Sequence, residues 1–176
     1  VGKKASYHTL PQDEITRRLI EEAKTGKFVV RLKGGDPFIF GRGGEECEAL
    51  AKAGIAFEVV PGISSAFAAP LFAGIPLTHR RYTPNIAIIT GHENPEKRGA
   101  IPYQSGVERK ASEWVDWAAL ARMDTIVILM GMGNLSANMD KLMANGKPAQ
   151  TPAAVVRWGG LGKQKSVFAT VGTLAD

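Results

Sequence analysis

The chain is poor in cysteine, histidine and aromatic side chains, and each scarcity closes off a kind of chemistry. Its 176 residues include one cysteine, Cys47, so no disulfide forms within the chain and a cysteine-based zinc site is excluded. Cys47 lies between Glu46 and Glu48 in an expected helix, where neighbouring carboxylates disfavour a thiolate, and it reads as a packing residue. The histidines, His8, His79 and His92, are dispersed and none has ligand spacing, so no metal site is expected. No Gly-Lys-Ser/Thr follows the spacing of a phosphate-binding P-loop, which excludes that motif. The stretch PGISSA is not a Gly-x-Ser-x-Gly elbow, and Ser64 and Ser65 read as helix caps rather than nucleophiles. Long uncharged runs are also scarce. Val59 to His79 reaches the length of a membrane span, but Pro61, Gly62, Pro70, Gly74 and Pro76 interrupt it, so a buried, broken helical segment is expected. The opening VGKKASYHTLPQDE lacks the apolar centre of a signal peptide. With the single cysteine it points to a reducing cytoplasm. The chain starts at Val1 rather than methionine and stops at TLAD, as expected of an excised fragment.

What is present describes an ordinary globular protein. Hydrophobic residues make up 44% and charged residues 22%, enough apolar surface to offset the entropy of folding. Lysine and arginine outnumber aspartate and glutamate by 22 to 17, a formal charge of +5. This excess favours an anionic partner, with nucleic acid, a phosphorylated ligand and a polycarboxylate all compatible. Aromatic residues do not interleave with the basic cluster His79-Arg80-Arg81 as they would on an oligonucleotide platform.

Periodicity and punctuation set the expected elements. Pro11, Asp13 and Glu14 open a helix whose Ile15, Leu19, Ile20 and Ala23 recur at helical spacing before Lys24 and Gly26 close it. Phe28–Leu32 reads as a buried parallel strand, Glu45–Ala53 as a helix ended by Gly54, and Phe57–Val60 as a second strand. A helix follows Ser64 or Ser65 and runs through Phe72. This β-α-β-α order implies a parallel sheet with right-handed crossovers. Thr83-Pro84-Asn85 breaks it, and the lobe boundary is placed there, giving lobes 1–84 and 85–176. Strand Ile86–Thr90 comes next, and then a charged excursion from His92 to Glu113. Beyond that, helix Trp117–Ala121, strand Thr125–Met130, helix Leu135–Ala144 and strands Ala153–Trp158 and Ser166–Thr170 are expected.

Open parallel sheets hold ligands at the carboxyl ends of their strands. GGDPF, PGISSA, TGHE and MGMGN all fall at such ends, and this convergence is the main functional signal. Gly34 and Gly35 allow close approach of backbone to ligand, and Asp36 supplies an acceptor for a hydroxyl or amine; a plain strand-terminating turn would use the same residues. Gly41, Gly43 and Gly44 set Arg42 on a flexible backbone just before a helix, where carboxylate or phosphate is attracted. Glu45 and Glu46 would complement the helix dipole. Gly131-Met-Gly133 opens a helix, but Ser136 replaces the third glycine of a dinucleotide fingerprint and no acidic residue ends a following strand at the proper distance.

In that order, RLKGGDPFIFGRGGEE, VVPGISSA, GIPLTHR, TGHE and ILMG closely resemble the uroporphyrinogen-III C-methyltransferase family of tetrapyrrole methylases, over almost the whole chain. The resemblance implies a two-lobed α/β fold, with a mostly parallel sheet in the first lobe and a mixed sheet in the second. It implies methyl transfer from S-adenosylmethionine, leaving S-adenosylhomocysteine, to pyrrole carbons of uroporphyrinogen III on the way to siroheme or cobalamin. The cofactor folds into the cleft between the lobes in this family, and no metal takes part. A homodimer without nucleic-acid or membrane partners is implied as well. By position, Gly34, Gly35, Asp36, Ser64, Ser65, Met130 and Gly159 are the expected cofactor residues. Arg42, Glu45 and Arg80 are the expected substrate-side and catalytic residues, Arg42 for proton handling or for carboxylate anchoring. The family opens with a strand and a Gly-Pro-Gly-Asp turn, and this chain begins after both. Family strands also run beyond the position of Asp176, and the excursion Pro95–Ser112 is longer than the usual linker. A truncated non-catalytic tetrapyrrole-binding piece, and a related methylase acting on another corrin precursor or on RNA, are the competing expectations.

Overall fold

The structure is a computed structural model that describes residues 3–4, 7–8, 10–92 and 115–176. Apart from His92, the excursion expected at His92–Glu113 lies outside the described residues. The chain forms two compact units, 1–64 and 65–176. This division falls earlier than the expected lobe boundary at 84 and 85, because the segment from Ser65 onward packs with the second unit.

In the first unit, β1 (Lys3–Lys4) pairs antiparallel with β2 (Tyr7–His8). Helix α1 (Gln12–Lys24) starts at Pro11, whose missing N–H costs nothing at a helix start, and is followed by Gly26 in the left-handed region at φ 81°. Glu14, Arg17, Arg18 and Glu21 form i,i+3 and i,i+4 pairs along its exposed face, while Ile15 and Gln12 are buried. Helix α2 (Gly43–Lys52) packs on α1 and ends at Ala53, with Gly54 again left-handed.

Among the described residues of this unit, the expected parallel sheet does not form. Phe28–Leu32 and Phe57–Val60 are irregular, and the only strand pairing among the described residues of the first unit is β1 with β2. Phe28, Val30, Leu32 and Val60 are exposed instead of buried. Both segments have strand-forming composition. A strand, however, exists only through a neighbour about 4.8 Å away in register, and among the described residues neither has one.

The second unit matches the expected elements to within a residue or two. It comprises α3 (Ser65–Phe72), β3 (Ile86–Thr90), α4 (Trp117–Ala121), β4 (Thr125–Leu129), a 3-10 turn at Met132–Asn134, α5 (Leu135–Ala144), β5 (Pro152–Arg157) and β6 (Lys165–Thr170). The β3–β4 pair is parallel, from Ile86 opposite Thr125 to Thr90 opposite Leu129, and β5–β6 is an antiparallel hairpin. Asp116 caps α4 by accepting from the Ala119 amide at 2.8 Å. Leu120, Met139, Leu142 and Val171 form the core, packed against Ile89, Ile126, Ile128 and Trp117. Burying each large side chain there contributes about 1.5–3 kcal/mol. The segment 59–79 is broken as expected, with Pro70 inside α3, but it is not buried. Ala66 is fully covered while Phe67, Leu71 and Phe72 are exposed.

Candidate functional site

Two loops of the first unit come together around one carboxylate. Asp36 accepts from the amides of Phe38 at 2.9 Å and Ile39 at 3.1 Å through Oδ1, and from the Gly62 amide at 3.4 Å through Oδ2. The bond to the Phe38 amide, with those to Gly62 and Ile39, holds its pKa below the usual carboxylate range despite a smaller opposing effect of desolvation. Asp36 thus orders its own loop through two bonds and joins the GGD turn to the PGIS turn through the third. The approach is close enough to require glycine. A Cβ on Gly62 would stand 2.5 Å from the Gly35 carbonyl oxygen and 3.2 Å from the Asp36 nitrogen. Gly35 itself has φ 127°. Ser64 is buried beside this contact, whereas an added Cβ on Gly34 would meet nothing within 4 Å. The structure therefore gathers Gly34, Gly35, Asp36 and Ser64 around one junction.

The base of this loop is held by Glu46, which the sequence reading assigned only to the helix dipole. Glu46 is 4% exposed. It accepts from Gln12 Nε2 at 2.7 Å, Lys33 Nζ at 2.8 Å and Arg31 Nε at 3.3 Å. Burial alone would raise its pKa, but the bonds from Lys33 and Gln12 and the charges of Arg31 and Lys33 outweigh it and leave the carboxyl below its ordinary value. One buried anion thus fixes α1, α2 and the residue preceding Gly34. The spacing RLK…GGEE was the available signal, two cations facing a carboxylate one helix turn past a glycine loop.

Arg42 and Glu45 form a pair at the surface. Arg42 has a left-handed backbone, φ 58° and ψ 19°, and its Nε donates to both Glu45 carboxylate oxygens at 3.0 Å, with Nη2 donating to Oε2 as well. Hydrogen bonding to Glu45 raises the Arg42 pKa above its ordinary value, against the opposing effect of desolvation. Phe40 is also left-handed, at φ 53°. Two such non-glycine residues within three positions store backbone strain in the loop that ends at α2.

In the second unit the turns at residues 90–92 and 130–134 meet at the carboxyl ends of β3 and β4. Asn134 and Asn138 both donate to the Gly91 carbonyl, at 3.0 and 3.3 Å, and the Gly91 amide donates to Leu129 O at 2.7 Å. A Cβ on Gly91 would lie 2.6 Å from Gly131 Cα. Met130, next to this contact, is left-handed at φ 56° and 60% exposed. Gly159 packs on α3, where an added Cβ would meet Ala69 at 2.7 Å, and Ser65 is the exposed first residue of that helix. Arg80 is exposed, and among the described residues it has no ion-pair partner. His79 is occupied locally, accepting from the Arg81 amide at 3.2 Å and stacking on Tyr82. A cavity of about 280 Å³ lined by Ala87, Ile89, Val115, Asp116, Ala119, Leu120 and Met123 contains none of the expected site residues. Among the described residues, no group of His, Cys, Asp or Glu side chains is placed to hold a metal ion, and no helix is long and apolar enough to cross a membrane.

This is the α/β fold of the tetrapyrrole methyltransferase structures. The structure of uroporphyrin-III C-methyl transferase from Thermus thermophilus complexed with S-adenyl homocysteine superimposes with a TM-score of 0.74 at 35% identity, covering 93% of this chain and 66% of that one. Residues 1–175 match the family described as Tetrapyrrole (Corrin/Porphyrin) Methylases, and the chain belongs to that family. It is 49% identical to uroporphyrinogen-III C-methyltransferase of Bacillus subtilis (strain 168), over 99% of this chain and 63% of that protein. Against the S-adenosyl-L-methionine-dependent uroporphyrinogen III methyltransferase of Methanosarcina barkeri it is 51% identical, over 100% of this chain and 63% of that protein. The chain therefore spans somewhat less than two thirds of the length of these relatives.

Proposed function

We propose that the protein methylates uroporphyrinogen III at two pyrrole carbons, using S-adenosylmethionine and yielding precorrin-2 for siroheme or cobalamin-type pathways. The observation that carries this reading is the junction of Gly34–Asp36 with Pro61–Ser64, present in a chain about half identical to uroporphyrinogen-III methyltransferases. The junction suits a small ligand. Gly34 leaves open space beside a backbone that Asp36 holds rigid, so a ligand meets carbonyl and amide groups without first having to order them. In the first unit Gly34, Gly35, Asp36 and Ser64 are assigned to S-adenosylmethionine, and in the second Ser65, Met130 and Gly159. When bound, the cofactor supplies a methyl group on a sulfonium, an electrophile that needs alignment and exclusion of water more than acid or metal assistance.

Uroporphyrinogen III carries carboxylates on every ring, which suits the arginines. Arg80, exposed and without an ion-pair partner among the described residues, is assigned to these carboxylates, and Arg42 with Glu45 to the same side of the substrate. The raised pKa of Arg42 keeps the guanidinium protonated, which favours anchoring over proton abstraction. A homodimer in the cytoplasm, without metal, nucleic acid or membrane partners, and a functional lobe division at residues 84 and 85 belong to the same reading. The test is to incubate the full-length protein with S-adenosylmethionine and uroporphyrinogen III and weigh the products. One- and two-methyl additions are expected, and their absence would sink the assignment.

A further inference from the structure

The tip of the β5–β6 hairpin collects positive charge that no carboxylate among the described residues pairs with. The register sets Arg157 directly opposite Lys165, a like-charge cross-strand pair of the kind that destabilises a hairpin. The Arg157 guanidinium lies 3.8 Å from the Trp158 ring centroid and the Lys163 ammonium 4.7 Å from the same ring, so one indole gathers two cations. All three cationic residues are exposed, and among the described residues no carboxylate pairs with any of them.

The backbone beneath them is fixed in place. Trp158 is left-handed at φ 55°, Gln164 Oε1 accepts from the Gly160 amide at 2.9 Å, and Gln164 Nε2 donates to Phe72 O of α3 at 3.2 Å. A Cβ on Gly160 would meet the Phe72 ring at 2.6 Å. The turn is thereby stapled to α3, and its cations sit on a rigid mount. Charges held close together on a rigid support, at an electrostatic cost to the hairpin, are arranged for an external anion.

We infer that Arg157, Lys163 and Lys165 form a capture site for ligand carboxylates, with Trp158 as the platform that orients the first two. Resting on the proposed function, the inference makes this hairpin tip the place where the polycarboxylate substrate is first held. Arginine matches a carboxylate bidentately, and the two lysines supply point charges to further carboxylates of the same molecule. The contribution is to encounter and affinity, so it is strongly screened by salt.

The experiment measures binding of uroporphyrin III, the oxidised and fluorescent octacarboxylate, to the full-length protein at ionic strengths from about 20 to about 300 mM, a range over which the Debye length shrinks several-fold. In Arg157→Gln/Lys163→Gln/Lys165→Gln, Kd should rise about tenfold at low salt and its salt dependence should flatten. In turnover the loss should fall on KM rather than kcat. Affinity for S-adenosylhomocysteine should stay within about twofold, and melting should stay close to that of the parent, because relief of the like-charge pair and loss of the two contacts to Trp158 oppose each other. The double variant Lys163→Gln/Lys165→Gln, which keeps Arg157 on Trp158, should show a smaller shift of the same kind. Unchanged affinity and salt slope beside an active parent would overturn the capture site alone. Inorganic phosphate binding as tightly as uroporphyrin III would overturn the carboxylate assignment. A parent that neither binds uroporphyrin III nor methylates uroporphyrinogen III would instead overturn the proposed function.

Discussion

Replacing Glu46 by glutamine tests whether one buried carboxylate holds the first unit together. The substitution keeps the shape of the side chain and an acceptor for Gln12, so what it removes is charge. Lys33 and Arg31, with 13% and 26% of their side chains exposed, are left without their counter-ion. Breaking a fully buried pair costs about 3–5 kcal/mol, and a fully exposed pair is worth at most about 1 kcal/mol. The partial exposure of the two cations places Glu46→Gln between these limits, at about 2–3 kcal/mol. With a urea m-value of about 2 kcal/mol/M, the unfolding midpoint should fall by about 1–1.5 M, measured by circular dichroism. Adding Lys33→Met removes the stranded ammonium and should recover part of the loss, giving a clear coupling energy in the double-mutant cycle. Because the folded pKa of Glu46 is depressed, its contribution is present above the unfolded carboxylate pKa of about 4.3 and lost as pH falls through the lower folded value. The parent and variant stability curves should therefore converge in acid. A loss below about 0.5 kcal/mol, or no coupling to Lys33, would show that Glu46 behaves as a surface charge and would refute the reasoning.

Other consequences follow from the same geometry. Gly62→Ala forces a Cβ against the Gly35 carbonyl, and separating the two turns should lower S-adenosylhomocysteine affinity at least tenfold by calorimetry, about 1.4 kcal/mol. Gly91→Ala places its methyl against Gly131 and Asn138; an overpacking cost of about 1–3 kcal/mol should appear as a lowered melting temperature. The depressed pKa of Asp36 means that its hold on the Phe38 and Gly62 amides persists above the unfolded value near about 3.9 and weakens as pH drops through the folded one. Amide chemical shifts at Phe38 and Gly62, followed from neutral to acid pH, should move together with that midpoint. Arg42→Ala should raise KM for uroporphyrinogen III, and unchanged turnover and affinity would remove Arg42 from the substrate side.

Local signals carried the second unit well. IAIIT, LSANMDKLMA and the closing strands have compositions and stop residues that agree with their packing, and β3, α4 and α5 fall where the sequence places them. The same signals failed at Phe28–Leu32 and Phe57–Val60, since β-branched composition describes a segment able to join a sheet and says nothing of whether a neighbour is present. The first unit's candidate ligand turns, GGD and PGIS, were located by assuming strands in front of them. Among the described residues the two strands expected at Phe28–Leu32 and Phe57–Val60 do not form, yet the turns meet, because Asp36 and Gly62 rather than a ladder bring them together. That bond spans 26 positions, and the Lys33–Glu46 pair spans 13. Contacts of this range are tertiary, so residue types alone could not distinguish Asp36 as a ligand acceptor from Asp36 as a fastening between loops.

The irregular segments around the first unit's turns also set how this unit breathes. Among the described residues, no backbone hydrogen bond joins Phe28–Leu32 or Phe57–Val60 to a neighbour, whereas β3 and β4 share a full ladder. In deuterated solvent the amides of both irregular segments should exchange almost at once, while those of Ile88 and Val127 remain protonated much longer. The loop that carries Gly34 and Gly35 is thus suspended between a fast-exchanging run and an ionic anchor, and its order depends on Glu46 and Asp36 more than on any sheet.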